Sequence, residues 1–139
     1  MIGLTRGSEP CHIARATIDG VAHRCVDLCE NLPLSDAPLR VDGGLARSNV
    51  LMQSLANYSG RTLLRAAEAE TTALGAAYFA GLATGLWTHS EEALQTAQPP
   101  TVFEARMADD KRLALRKRWN NAVSRCTTDA ATTPSSSQG

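Results

Sequence analysis

Asp42, Gly43 and Gly44 are the residues of this chain whose types and spacing best suit ligand binding. They follow a short strand-like run, Leu39–Val41, and precede a segment with helical periodicity. Glycines leave the backbone bare, and a helix N-terminus directs amide groups at an anion, so such a loop can hold a phosphate-bearing ligand. Two glycines alone are a weak signal, because an ordinary turn explains them about as often. We interpret the loop as a nucleotide-contacting segment.

Polar side chains beside the two glycines belong to the same candidate site. Ser48 could offer its hydroxyl group to the ligand. Asp42 and Glu70 are the acidic residues in the most informative contexts, but neither has a His or Lys neighbour that would support general-base catalysis. For Asp42, a capping role or a contact to a magnesium-bound water is the better interpretation.

Cysteine and histidine residues near the start of the chain raise the question of a metal site. The candidates are Cys11, His12, His23, Cys25 and Cys29. On one helix, His23 and Cys25 are separated by about 200° of rotation, and no Cys-x-x-Cys pair is present. We predict no metal site, and thiols that are buried or inert.

The charge and hydropathy patterns exclude several classes of function. The 139 residues include 14 Lys and Arg and 14 Asp and Glu, so the net charge is zero, which argues against a general nucleic-acid or anionic-membrane binder. No apolar run reaches the roughly 20 residues that span a bilayer, and no signal peptide is recognisable, so we expect a cytoplasmic protein without membrane contacts. Basic residues near the C-terminus are expected to form a solvated helix face. They are Lys111, Arg112, Arg116, Lys117, Arg118 and Arg125.

Hydrophobic periodicity predicts an α/β chain with five helices and two strands. The predicted strands are Leu39–Val41 and residues 62–64. The predicted helices are residues 12–31, 48–58, 71 or 72 to 84, 91–95 and 109–126.

The apolar faces of these helices predict how they pack. The first helix carries a stripe that should face a sheet, formed by Ile18, Val21, Ala22, Cys25, Leu28, Cys29 and Leu32. The second should bury Val50, Leu51, Leu55 and Tyr58, and the last should align Leu115, Trp119, Ala122, Val123 and Cys126. Gly60 and Gly85 are expected to end the second and third helices, and Gly75 and Gly81 to allow close approach of a neighbour.

Three segments carry more specific motifs. They are Gly-Leu-Thr-Arg-Gly at 3–7 followed by residues 12–22, Arg-Val-Asp-Gly-Gly at 40–44 with residues 51–53 and 60, and the Ala-rich residues 70–83 with Gly85 and Trp87. In this order they resemble the C-terminal portion of the FGGY carbohydrate kinases, and of the glycerol kinases among them.

The resemblance implies a partial actin/hexokinase/Hsp70-like (ribonuclease H-like) C-terminal nucleotide-binding domain with flanking helices. Residues 1–87 would be this domain without its front part, residues 88–126 a helical extension, and residues 127–139 a disordered tail. A sheet without its first strands leaves an exposed edge and an uncovered helix stripe, so we expect a poorly soluble chain or a homo-oligomer.

The resemblance also implies a function, in which ATP and glycerol give glycerol 3-phosphate and ADP with Mg²⁺. In the family, the loop after this strand contacts the nucleotide through its second glycine and an Asn four residues later. Those positions are Gly44 and Ser48 here, and Asn49 is a substitute for the missing Asn. The catalytic Asp, the glycerol contacts and the other phosphate loops would lie upstream of Met1. We therefore assign no catalytic residue and expect the chain alone to be inactive, with glycerol bound only when the missing half is present.

Two alternatives remain open at this point. The chain could be a non-catalytic module that binds a nucleotide or a partner chain. It could also belong to a related kinase whose substrate is another polyol or a ketose.

Overall fold

The computed structural model describes residues 2–67, 71–87 and 99–128. Its strands are β1 (Leu39–Val41), β2 (Leu63–Arg65) and β3 (Thr101–Phe103), and its α-helices are α1 (Pro10–Glu30), α2 (Asn49–Ser59), α3 (Thr71–Ala83) and α4 (Asp109–Thr128). A 3₁₀ turn, Gly44–Arg47, lies between β1 and α2. Both predicted strands and the four predicted helices in the described ranges are present, within about two residues at each end. The predicted helix at 91–95 lies outside the described residues.

The three strands form one small mixed sheet in the order β1-β2-β3. β1 and β2 are parallel, with Val41 opposite Arg65, whereas β3 runs antiparallel to β2, with Thr101 opposite Arg65. Helix α2 connects the two parallel strands, as parallel pairing requires a crossover. The C-terminal ends of β1 and β2 therefore meet at one edge of the sheet, which places Asp42 near Arg65.

Both ends of α2 are capped, at the C-terminal end by Gly60 as predicted and at the N-terminal end by Ser48. The Ser48 hydroxyl oxygen accepts a hydrogen bond from the Leu51 amide at 3.3 Å, which satisfies one of the free donors at the helix start. Gly60 adopts a left-handed conformation with φ of 69°, and its amide donates to the Ala56 carbonyl. The Ser48 cap fixes where the helix begins after the candidate loop, and the Gly60 cap fixes where it ends.

The hydrophobic core lies mainly between α1 and α2. Its buried members are Ala22, Val26, Ala46, Leu51, Met52, Leu55, Ala56, Tyr58 and Leu63. The prediction that the α1 stripe faces a sheet is wrong, because α1 packs chiefly on α2. A single helix covers a narrower strip than a sheet does, so Val26 is buried while Leu28 and Leu32 stay exposed. Val50, predicted to be buried, is also exposed.

The prediction of a solvated basic face on α4 is wrong for Arg116. Only 7% of this residue is exposed, whereas Lys117 and Arg118 lie on the surface as predicted. The Arg116 guanidinium donates hydrogen bonds of 2.7 Å to Asp27 and Glu30 on α1. Complementary charges on a distant helix, which composition cannot reveal, draw this one basic residue inward.

Strand β3 is an element that the sequence did not predict. Strand β3 extends the sheet, and the residues after it are held against α2. Gln53 donates to the Glu104 carbonyl at 2.7 Å, and the Arg106 amide donates to Asn57 at 2.8 Å. Strand β3 thereby covers the side of β2 that faces away from β1.

Helix α3 behaves partly as predicted. It ends before Gly85, whose φ is 75°, and the Leu86 amide donates to the Gly81 carbonyl. The Trp87 ring packs directly over Gly81, whereas no described atom lies within 4 Å of a side chain built on Gly75. Close approach is confirmed at Gly81, whereas at Gly75 it stays a prediction. No helix among the described residues is long and apolar enough to cross a membrane.

Candidate functional site

The loop after β1 is open on the side of its two glycines. Gly43 has φ of 97°, a conformation that side chains disfavour, and both glycines are exposed. A β-carbon built on Gly43 or Gly44 meets no described atom within 4 Å. A ligand can therefore reach the backbone here.

The chain then forms a tight 3₁₀ turn that leads into α2. The Ala46 amide donates to the Gly43 carbonyl at 3.0 Å, and the Ser48 amide donates to the Leu45 carbonyl at 3.1 Å. Because Ser48 is both the end of this turn and the N-cap of α2, its position is set from both sides. Its hydroxyl oxygen is used by the Leu51 amide, and its hydroxyl proton can still be donated.

A shallow cavity of about 430 Å³ lies at the edge of the sheet where β1 and β2 end. Its lining residues are Asp42, Gly43, Ala46, Arg47, Asn49, Arg65, Ala66, Ala67 and Thr101. The Ala66 amide donates to the Val41 carbonyl at 3.2 Å, which keeps the two strand ends side by side. In parallel sheets this edge is where ligands commonly bind.

The structure brings most of the predicted site residues together. Asp42, Gly43 and Asn49 line the cavity, while Gly44 and Ser48 lie in the turn between them and are not among its lining residues. Glu70 lies outside the described residues.

Arg65 is one of the polar cavity residues that the sequence did not predict, and Arg47 and Thr101 are the others. The Arg65 Nη1 atom donates to Asn49 Oδ1 at 2.7 Å and to the Ala46 carbonyl at 3.2 Å. The predicted strand ended at Leu64, one residue short of Arg65. Its position at the end of a strand parallel to β1 is the signal by which the sequence could have identified it.

The cysteine and histidine candidates are dispersed by the fold. His23 is buried between the rings of Tyr58 and Trp119, and burial raises the pKa of the Cys25 thiol, with a smaller contribution from Cys29. Ligand atoms of Glu9, Cys11 and His12 gather on the surface at the start of α1. The Nδ1 atom of His12 accepts the Glu9 amide at 3.0 Å in a helix cap. The absence of a metal site stays a prediction.

Comparison with known families gives a direct match to this part of the chain. Residues 1–84 match the C-terminal domain of the FGGY family of carbohydrate kinases. The chain belongs to the FGGY family of carbohydrate kinases. The resemblance seen in its three ordered motifs is thereby confirmed.

Curated relatives agree with this family membership. The FGGY chain described here is 43% identical to a glycerol kinase from Nitratidesulfovibrio vulgaris over 129 residues. It is 47% identical to one from Halorhodospira halophila over 131 residues. Each alignment covers 90% of this chain but only 26% and 25% of the two relatives. The chain thus spans about a quarter of the length of the glycerol kinases it matches.

Solved structures of FGGY kinases share the fold. The Plasmodium falciparum glycerol kinase with ADP superposes with a TM-score of 0.76 at 29% identity, over 88% of this chain and 26% of that one. A xylulose kinase from Lactobacillus acidophilus superposes with a TM-score of 0.68 at 24% identity, over 95% and 27% of the two chains. The α/β fold is therefore part of an actin/hexokinase-like ATPase domain. The predicted boundary at residue 87, between the nucleotide-binding domain and the helical extension, stays a prediction. Residues 129–139 of the predicted tail lie outside the described residues.

Proposed function

We propose that this chain forms the nucleotide side of a glycerol kinase, which transfers a phosphoryl group from ATP to glycerol and yields glycerol 3-phosphate and ADP. The observation that carries the proposal is the open Asp42-Gly43-Gly44 loop at the end of β1 within an FGGY C-terminal domain. The similar P. falciparum glycerol kinase was solved with ADP, which supports a nucleotide as the ligand.

Each residue of the site has a role in this proposal. Gly43 and Gly44 let the backbone pass under the nucleotide, because a side chain at either position would occupy the open space. Ser48 offers its hydroxyl proton, and Asn49 offers a side-chain amide at the cavity wall. These contacts suit the base-and-ribose end of ATP or ADP, which presents several hydrogen-bond acceptors.

Magnesium fits this site only through the nucleotide. Among the described residues that line the cavity, Asp42 is the single carboxylate, and Mg²⁺ is usually held by one or two carboxylates together with phosphate oxygens and waters. We propose that Asp42 contacts a water bound to the Mg²⁺ of a Mg·ATP complex. The ion would neutralise phosphate charge during transfer.

We expect no glycerol phosphorylation by the 139-residue chain alone. Phosphoryl transfer requires the acceptor hydroxyl, the metal and the phosphate contacts to be held in line, and this chain spans only about a quarter of the similar glycerol kinases. No catalytic residue is assigned to it, and glycerol would bind only with the remaining part. The cytoplasmic location expected from the sequence also stays a prediction.

A chimera tests the proposal most directly. The chain replaces the matching C-terminal part of the H. halophila glycerol kinase, and ATP-dependent formation of glycerol 3-phosphate is measured with the unmodified kinase as the positive control. We expect activity in the chimera and strong loss on Gly44→Val, which places a side chain in the open space. A folded chimera that phosphorylates D-xylulose but not glycerol would replace glycerol by a ketose as the substrate.

The second candidate function is a non-catalytic nucleotide-binding module, and the Ser at position 48 favours it. Calorimetric titration of the isolated chain with ADP discriminates the two functions. The kinase proposal predicts weak binding, because half of the cleft is supplied by other residues. Saturation at micromolar ADP, together with an inactive chimera, would favour the module.

A further inference from the structure

Arg65 lies at the end of β2 and reaches the turn that precedes α2. Its Nη1 atom donates to Asn49 Oδ1 at 2.7 Å, to the Ala46 carbonyl at 3.2 Å and to the Arg47 carbonyl at 3.5 Å. The contact to Asn49 is the shortest of the three, as expected for a charged donor. One guanidinium thus ties a strand end to the turn and to the first residue of the helix.

The Arg65 contact determines how the Asn49 amide is oriented. A guanidinium has donors and no acceptor, so the Asn49 atom that faces it must be the side-chain oxygen. The Nδ2 group is then directed away from Arg65, and no other described residue accepts a hydrogen bond from it. Because Asn49 lines the cavity beside the glycine loop, this group is a donor available to a ligand.

Arg65 is itself held in place. β2 is the central strand of the sheet, and Arg65 is paired with Val41 on one side and Thr101 on the other. Its guanidinium carbon lies 5.1 Å from the centre of the Phe103 ring, a cation–π contact that limits its movement. The residue is half-buried, so its direction is set by the sheet rather than by the solvent.

We propose that Arg65 is a positioning residue that orients the Asn49 amide so that its Nδ2 group donates to the base-and-ribose part of the nucleotide. The inference rests on the proposed function, since it assigns the ligand of the same cavity. It adds a residue outside the glycine loop, and it makes Asn49 rather than Arg65 the group that touches the nucleoside.

Adenosine is the probe for binding, because it lacks the phosphates that Arg65 could attract directly. It is titrated into the ¹⁵N-labelled 139-residue chain, and the dissociation constant is taken from the amide shifts. Arg65→Met should weaken binding about fivefold, as the loss of one oriented hydrogen bond would. Arg65→Lys, which can still donate to Asn49, should restore part of the loss. Arg61→Met removes an arginine that binds the Ser35 and Ala37 carbonyls, and it should leave binding unchanged.

Asn49→Asp separates orientation from a direct contact. The carboxylate keeps an acceptor for Arg65 but has no donor, so adenosine binding should weaken about fivefold. Adding Arg65→Met to this variant should cause no further loss. A further fivefold loss in the double variant would overturn the proposal, because Arg65 would then act on the ligand by itself. Binding of ADP but not of adenosine to the unmodified chain would overturn it as well.

The Asn49 side-chain amide signals test the orientation without any ligand. In the unmodified chain the shifts of the two Nδ2 protons should differ from those of a free Asn side chain, and Arg65→Met should move them toward the free values. Unchanged signals would overturn the positioning role even if ADP binds. A folded but inactive chimera with the expected signal change would instead overturn the proposed function and leave the Arg65–Asn49 orientation in place.

Discussion

The Nη1 atom of Arg116 lies 3.3 Å from the Nδ1 atom of His23, across the contact between α4 and α1. Because a guanidinium only donates, Nδ1 must accept, so the imidazole is neutral and carries its proton on Nε2. The same Nη1 atom donates to the His23 carbonyl at 3.3 Å. A residue 93 positions away thus fixes the tautomer of this histidine.

Two aromatic rings and one carboxylate complete a cluster around this pair. The His23 ring stacks on Tyr58 at 4.1 Å and on Trp119 at 5.1 Å between ring centres. The Trp119 Nε1 group donates to Asp27 at 3.0 Å. Burial alone would raise the pKa of Asp27, but the hydrogen bonds from Arg116 and Trp119 hold it below its usual range. We call these five residues the α1–α4 cluster, and it fastens the last helix to the first.

Removing the cation of the α1–α4 cluster should destabilise the chain. Arg116→Met keeps most of the side-chain volume but removes the charged hydrogen bonds to Asp27 and Glu30, and it leaves the partly buried Asp27 without its main partner. We expect a loss of roughly 2–3 kcal/mol in the free energy of unfolding. Urea unfolding followed by circular dichroism measures it.

Lys117→Met is the matched control on the same helix, because Lys117 is exposed. Its effect should stay within about 0.5 kcal/mol. Equal losses in the two variants would show that the Arg116 contacts contribute nothing specific to stability.

Stability should fall as the pH drops below about 6.5. Burial lowers the pKa of His23 below its usual value of 6.5, and the nearby charge of Arg116 lowers it further. The unfolded chain therefore binds a proton at a higher pH than the folded chain does. The contribution of neutral His23 to the free energy of unfolding is fully present above pH 6.5. It is lost progressively as the pH falls toward the lower pKa that His23 has in the folded chain.

His23→Phe isolates this effect, because the ring can still stack on Tyr58 and Trp119 but does not titrate. Its free energy of unfolding should vary less between pH 7.5 and 5.0 than that of the unmodified chain. Asp27 does not obscure the comparison, since its stabilising effect is lost only below its ordinary pKa of 3.8. Parallel pH profiles for the two proteins would contradict the prediction.

Gly43 and Gly44 should respond differently to alanine. Gly43→Ala places a side chain at φ of 97°, which costs about 1–3 kcal/mol, so the loop should rearrange and stability should fall. Gly44 has no positive φ and has open space around it, so Gly44→Ala should leave stability nearly unchanged while weakening ADP binding. Thermal unfolding and calorimetry on both variants separate the two effects, and equal loss of stability would contradict the assignment.

Helix α3 should promote self-association of the chain. It has no charged residue. Phe79 on this helix is 77% exposed, and Leu86, three residues after its end, is 71% exposed. Large exposed apolar side chains in one region favour association. Light scattering should show a mass that rises with concentration, and Phe79→Ser with Leu86→Ser should reduce it. Leu113→Ser on α4, which removes a similarly exposed leucine, should not.

Local signals made most of the elements predictable. Ser48 and Gly60 mark the two ends of α2 by capping chemistry that acts within four residues, and the spacing of Leu51 and Leu55 defines its buried face. The glycine loop was recognisable because a strand, two glycines and a helix start follow one another directly. The motifs around it identified the family, which local periodicity alone does not do.

Long-range partners were the part that the sequence could not supply. Strand β3 is three residues long and pairs with β2 across almost 40 positions, so no local pattern marks it. Arg116 sits in a run of basic residues that resembles a solvated face, and only the folded chain brings Asp27 and Glu30 to it. The role of Arg65 was unpredictable for the same reason, because it depends on the pairing of β2 with β1.

Gly81 and Gly75 offer a matched test of packing on α3. A β-carbon at Gly81 would overlap the Trp87 ring, which also contacts Tyr78 at 5.5 Å between ring centres. A rigid ring cannot yield as a flexible chain end would, so Gly81→Ala should cost about 1–3 kcal/mol. Gly75 lies in the same helix with no described atom in the way, so Gly75→Ala should be stabilising by about 0.5–1 kcal/mol through reduced freedom of the unfolded chain. Thermal unfolding of the two variants measures the difference, and a stabilising Gly81→Ala would mean that Trp87 does not pack on α3 in solution.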